Sequence, residues 1–168
     1  MDPTTPGFPG YPGYAGDAGE GQDLTRPFGA VLLATDLSPT SGPAEEEAMR
    51  LAARLHARLL AVSVIDPGTL RLPGGRFAAR IDQVRDEREQ AAQVLVARGH
   101  DVGVSTEFLV WEGDPGEAIV DAARAEGVDL IVLGSHGRRG VGRSFFGSVS
   151  DHVVRHAPCP VVVVRGPS

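Results

Sequence analysis

The feature that most constrains this chain is a series of short, almost wholly apolar runs, each ended by polar punctuation and most followed by a stretch of helical periodicity. GAVLLATD (Gly29–Asp36), LLAVSVID (Leu59–Asp66), VDLIVLGS (Val128–Ser135) and PVVVVR (Pro160–Arg165) have this form, and VGVSTEFLVWEGD (Val102–Asp114) contains a fifth. Successive side chains of a strand point to opposite faces of a sheet, so a run apolar at every position suits a strand covered on both sides. Between the runs the period changes. Glu45, Glu46 and Glu47 suit the first turn of a helix, where carboxylates meet the positive end of the helix dipole, and Met49, Ala52, Ala53 and Leu55 carry an apolar stripe down to His56. Phe77, Ile81, Val84, Ala91, Ala92 and Leu95 space out a long amphipathic helix that Gly99 is expected to stop. Asp114-Pro115-Gly116-Glu117 predicts a helix start with Asp114 as N-cap, Pro115 at the first helical position and Glu117 placed to close a capping box; that helix runs to about Glu126-Gly127. A last short helix is expected over Ser148–His156.

Strands and helices therefore alternate from start to finish, which predicts a single doubly wound α/β layer: five parallel strands with helices on both faces. Spacing alone leaves the strand order open. In such sheets ligands bind beyond the carboxyl ends of the strands, where the winding direction reverses.

A chain of 168 residues favours one domain. Residues 1–26 read as a disordered Gly/Pro-rich tail and residues 27–168 as the domain; the first 22 residues alone hold four Pro and six Gly, too little apolar surface to offset their ordering entropy. Gly16, Gly19 and Gly21 mimic a dinucleotide loop, yet no strand precedes them and no helical pattern follows. Apolar runs do not exceed five residues (Ala30–Ala34), far short of the roughly 20 needed to span a bilayer. The first residues carry neither a basic patch nor an apolar core, so a cytoplasmic location is expected. A net charge of −6 argues against nucleic-acid or anionic-membrane partners. Cys159 is the only cysteine, which excludes an internal disulfide framework and a multi-cysteine zinc site. All 16 basic residues are Arg. Without lysine there is no Walker-type phosphate contact, no Schiff-base chemistry and no receiver-type lysine, so a bound phosphate must be held by backbone N–H groups, hydroxyls, Arg or a metal ion.

The residues that carry chemistry lie after the fourth strand. Gly134-Ser135-His136-Gly137 is followed, nine residues on, by Gly147-Ser148 at the start of the last helix. Glycines permit close backbone approach to a ligand, and a helix N-terminus supplies unpaired N–H groups with a partial positive charge. Arg138, Arg139 and Arg143 lie in the same loop; Gly134 to His156 holds four Arg against one Asp, a local reversal of the overall charge that suits a polyphosphate.

The spacing G-x2-G-x9-G-[S/T], met here by Gly134, Gly137, Gly147 and Ser148, resembles the nucleotide-binding signature of the universal stress protein family in its ATP-binding branch. ATDLSPTS (Ala34–Ser41), GDPGEAIVDAA (Gly113–Ala123), VDLIVLGSHG (Val128–Gly137) and CPVVVVR (Cys159–Arg165) are similar to further blocks of that family in the same order, so the likeness covers about residues 27 to 166. It implies a Rossmann-like sheet of order 3-2-1-4-5, with the ends of the first and fourth strands side by side. It implies ATP, or AMP or another adenine nucleotide, bound with Mg²⁺ or Mn²⁺. Asp36 would face the adenine or ribose, Val62, Val64 and Leu133 would pack the base, and Gly134, Gly137, Arg138, Gly147, Ser148 and the Val149 N–H would hold ribose and phosphates. Leu37 departs from the family pattern, which often has a small residue there. The resemblance further implies a homodimer through Val161–Val164, an apolar edge strand that needs covering.

Each residue also has a plainer reading. Asp36 can cap the turn after its strand, Ser148 can be an N-cap with Asp151 closing a box, and the loop arginines can be solvated charges. His136 is placed to act as a base but has no acidic partner at an informative spacing. His152 and His156 share a helical face without the HExxH context of a zinc site. Cys159 and Trp111 read as packing residues. No residue is assigned a catalytic or metal-binding role. The leading function is an ATP-binding regulatory protein acting through nucleotide-dependent conformation or partner binding; a slow ATPase or adenine-nucleotide hydrolase is the alternative, and a module that has lost its nucleotide is a third.

Overall fold

The computed structural model describes residues 27–70, 77–135 and 147–166. The elements run β1 (Ala30–Ala34), α1 (Gly42–Leu55), β2 (Arg58–Ile65), α2 (Phe77–Asp101), β3 (Thr106–Glu112), α3 (Pro115–Ala125), β4 (Leu130–Gly134), α4 (Ser148–His156) and β5 (Val161–Val164), with 3-10 turns at Pro39–Ser41 and Pro67–Leu70. The five strands form one sheet of order β3-β2-β1-β4-β5, parallel throughout. The predicted doubly wound layer is therefore present, in the strand order the family resemblance implied.

The two faces of the sheet bury two separate cores. On one side Val31, Leu33, Leu59, Ala61 and Val132 pack against Ala44, Ala48, Met49 and Ala52 of α1 and Leu95 of α2. On the other, Leu32, Leu60, Val62, Ile131 and Leu133 pack against Ile119, Val120, Ala122 and Ala123 of α3 and Val153 of α4. Alternate residues of β1, β2 and β4 thus serve opposite cores, which is why those runs have no polar face.

Local chemistry sets most boundaries. Asp114 Oδ1 accepts from the N–H groups of Gly116 (2.9 Å) and Glu117 (3.2 Å), starting α3 as predicted. Gly99 does not stop its helix; α2 continues to Asp101. A Cβ at Gly99 would lie 2.0 Å from Thr106 Oγ1, so that glycine lets α2 approach β3 closely rather than ending the helix. No helix among the described residues is long and apolar enough to cross a membrane. The tail, residues 1–26, lies outside the described residues.

Candidate functional site

The winding reverses between β1 and β4, whose chains leave the sheet in opposite directions: α1 packs on one face, α4 on the other. The register Ala34↔Leu133 brings Thr35-Asp36 and Gly134-Ser135 beside each other at the carboxyl end of the sheet. Ser135 N–H donates to Val164 O (2.8 Å), and Gly147 N–H donates to Ser135 O (2.9 Å). That second bond seats the start of α4 directly over the end of β4. Four of the predicted site residues, Gly134, Gly147, Ser148 and Val149, therefore lie with Asp36 at the same carboxyl end of the sheet. Gly137 and Arg138, with His136, Arg139 and Arg143, lie outside the described residues.

The N-cap of α4 is Gly147, not Ser148, and among the described residues no side chain caps it. Ser148 is the first helical residue, and its exposed hydroxyl is not committed to the cap. Ser150, buried one turn in, donates its hydroxyl back to Gly147 O (3.0 Å) and reaches Ser135 O (3.4 Å), tightening the same junction. Gly147 itself has φ −70° and ψ 164°, open to any residue, and a Cβ there would come no closer than 3.5 Å to Ser135 O. Neither the backbone conformation nor contacts with the described residues require glycine at this position.

At the β1 end, Asp36 Oδ1 accepts from Ser38 N–H (3.0 Å) and from Ser41 Oγ (2.5 Å), so the carboxylate organises its own turn. Leu37 adopts the left-handed conformation (φ 57°), a state that costs a side-chain-bearing residue about 1–2 kcal/mol. Two contacts hold it there: its N–H donates to Thr35 Oγ1 (2.9 Å), and its side chain packs against the α1 core. The same Thr35 hydroxyl donates to Glu45 Oε1 (2.8 Å), and Glu45 pairs with Arg98 at 3.7 Å. Thr35, Ser41, Glu45 and Ser150 support the site without belonging to any spacing that would single them out in advance.

On β2, Val62 is fully buried and Val64 partly so, both in the α3–α4 core together with Leu133. Val64, nearer the strand end, has the more open position of the two. Trp111 and Cys159 pack against the same core, and burial, with a smaller contribution from the Asp129 carboxylate, pushes the Cys159 thiol above its usual range. His152 and His156 stack at 4.2 Å between ring centroids, with His156 Nδ1 2.8 Å from His152 O. Among the described residues no three of His, Cys, Asp and Glu come together in a metal-holding group.

The fold defines a doubly wound α/β protein whose topological switch point lies between the carboxyl ends of β1 and β4. The family model of the universal stress protein family matches residues 27–165, and the chain belongs to that family. A universal stress protein of Thermus aquaticus is 38% identical over 139 residues, covering 82% of this chain and 99% of its own. The solved structure of the universal stress protein UspA from Lactobacillus plantarum is similar with a TM-score of 0.70 at 29% identity, over 83% of this chain and 99% of that one. A universal stress protein from Archaeoglobus fulgidus, solved in complex with dAMP, shares the fold with a TM-score of 0.61 at 23% identity, over 82% and 98% of the two chains.

Proposed function

We propose that this protein binds an adenine nucleotide, ATP or AMP, at the switch point between the ends of β1 and β4, and acts in the cytoplasm as a regulatory protein through nucleotide-dependent conformation or partner binding. The observation that carries the reading is the start of α4. Among the described residues no side chain caps this helix at the switch point, and neither the backbone angles nor the described neighbours require the glycine ahead of it, which is the arrangement a phosphate fills. The N–H groups of Ser148 and Val149 and the Ser148 hydroxyl would hold phosphate, with Gly134, Gly137 and Arg138 completing the loop. Asp36 would meet the ribose or base, and Val62, Val64 and Leu133 would back the base. The dAMP bound by the Archaeoglobus relative is consistent with an adenylate ligand.

A divalent cation, Mg²⁺ or Mn²⁺, fits such a site only as a companion of the phosphates, since the described residues offer no three-ligand cage. Bound there, it would neutralise phosphate charge. Isothermal titration of the full chain with ATP and AMP, with and without Mg²⁺ or Mn²⁺, tests the proposal: saturable one-site heat is expected, and no heat with either nucleotide would overturn it.

The reading includes a homodimer through β5. That strand is the outer member of the sheet, and Val161–Val164 are only partly buried. An unpaired apolar edge is a liability that a second copy removes. Sedimentation at tens of micromolar should return a dimer; a monomer refutes this part.

A further inference from the structure

We propose that the aromatic residues of the tail, Phe8, Tyr11 and Tyr14, dock within their own chain in a groove between α1 and the end of α2. The groove, of about 440 Å³, is lined by Glu46, Met49, Arg50 and Ala53 of α1, by Arg98 and Asp101 of α2, and by Val102 just beyond it. Val102 is 58% exposed, and Val94, 66% exposed, lies one turn before Arg98 on the same side of α2. Two of the four exposed large hydrophobic side chains among the described residues thus follow this line. Arg50 and Arg98 are each paired, with Glu47 and Glu45, yet both side chains remain about half exposed. A guanidinium held in an ion pair still offers its flat face to an aromatic ring, and the Met49 thioether suits a ring edge.

The place where the tail joins the domain selects it as the occupant. Arg58 N–H donates to Gly29 O (3.1 Å) and Leu59 N–H to Ser105 O (2.8 Å), so the start of β1, the end of α1 and the turn after α2 share one end of the sheet. The chain enters at Pro27 on that end, where Val102 also lies. Tyr14 precedes Pro27 by 13 residues. A Gly-rich chain of that length spans about 20 Å on average and about 45 Å at full stretch. The aromatics recur at every third residue, in Gly7-Phe8-Pro9, Gly10-Tyr11-Pro12 and Gly13-Tyr14. In polyproline II form that repeat would line them along one face about 9 Å apart, a row of about 19 Å against roughly 21 Å for the 14 residues of α1. A groove lined by seven residues is small for a free partner, since a stable interface takes roughly 20–30 residues a side. A tethered segment meets it at an effective concentration on the order of 1 mM, so weak contacts suffice.

Both tyrosines of the chain are in the tail, and its two methionines are Met1 and Met49. Fluorotyrosine labelling of the full chain therefore reports on the tail alone, and methyl-labelled methionine places a probe in the groove. The fluorine signals of Tyr11 and Tyr14 should lie away from their positions in concentrated urea. The Met49 methyl should show Overhauser contacts to aromatic protons that vanish when Phe8→Ser, Tyr11→Ser and Tyr14→Ser are combined. Ala53→Glu and Val102→Glu, both at exposed positions, put a carboxylate into the groove; each should return the fluorine signals toward the urea positions, lowering the docked fraction about fivefold or more. Wild-type signals that coincide with those of the unfolded chain overturn the proposal. So do displaced signals that survive both groove variants, since the tail would then be seated elsewhere. Displacement lost on dilution from hundreds to tens of micromolar also overturns it, because the groove filled would belong to a second copy.

Discussion

Two helices lie side by side over the same core, and their first turns are built in opposite ways. The start of α3 is closed: the Asp114 carboxylate accepts from two of its N–H groups, and Pro115 removes a third donor. The start of α4 differs: Gly147 has no side chain to offer, and among the described residues no side chain caps the helix. Both helices carry an acidic residue in the first turn, Glu117 and Asp151, so helix-dipole compensation does not separate them. What separates them is whether the chain supplies its own anion. The helix that holds the core is capped by the protein; under the proposed function, the helix that starts at the switch point is the one a ligand would cap.

The largest expected effect comes from making α4 resemble α3. In Gly147→Asp the backbone already has the extended conformation of an N-cap, and a Cβ meets only ordinary contacts. The carboxylate should cap the helix and repel a phosphate, lowering ATP affinity about 100-fold, or about 2.7 kcal/mol, by titration. The unfolding midpoint should hold or rise slightly. Undiminished ATP binding in that variant would break the comparison.

The reverse change comes next. Asp114→Ala removes the α3 cap and should cost about 1 kcal/mol of stability in urea unfolding, with a thermal shift of roughly 2–4 °C. ATP affinity should stay within about twofold, because no phosphate is assigned to that helix. A large loss of binding would mean that the two first turns are not functionally distinct.

The smallest effect concerns the other helix ends, where the same economy of shape appears. Both α1 and α3 close with paired bonds across a left-handed residue: Ala57 N–H to Ala52 O and His56 N–H to Ala53 O in α1, Val128 N–H to Ala123 O and Gly127 N–H to Arg124 O in α3. The left-handed residue is Gly127 in α3 but His56 in α1, with φ of 58° and 53°. His56→Gly relieves a conformational cost of about 1–2 kcal/mol and adds back roughly 0.5–1 kcal/mol of unfolded-chain entropy, so a net gain of a few tenths to about 1 kcal/mol is expected in urea unfolding. A loss of stability would show that the His56 side chain contributes contacts that outweigh its strain.

Much of this architecture is legible in the residues. The alternation of apolar runs and helical stripes predicts all nine elements, Asp114 is recognisable as a cap from its four-residue context, and α4 begins and ends where expected. Gly99 misleads because a glycine near a helix end has two uses, and only the position of Thr106 shows that close packing is the one in force. Ser148 misleads only as a cap, since a serine is a better N-cap than glycine by propensity, while the bond from Gly147 N–H to Ser135 O seats Gly147 in that position. Asp36 carries two readings, turn former and ligand contact; its bonds to Ser38 and Ser41 show the first and leave the second to the titration.

By itself the sequence determined which segments are strands and which are helices, that the strands are buried on both faces, and that phosphate chemistry here must proceed without lysine. These are properties of neighbouring residues and of composition, carried by periodicities of two and 3.6. Tertiary structure alone decided that Leu37 takes the left-handed conformation, that Arg88 reaches from α2 to Val64 O, and that a glycine rather than a serine heads α4. Each depends on groups that are distant along the chain or on competition for a single acceptor, and no local pattern encodes the outcome of that competition.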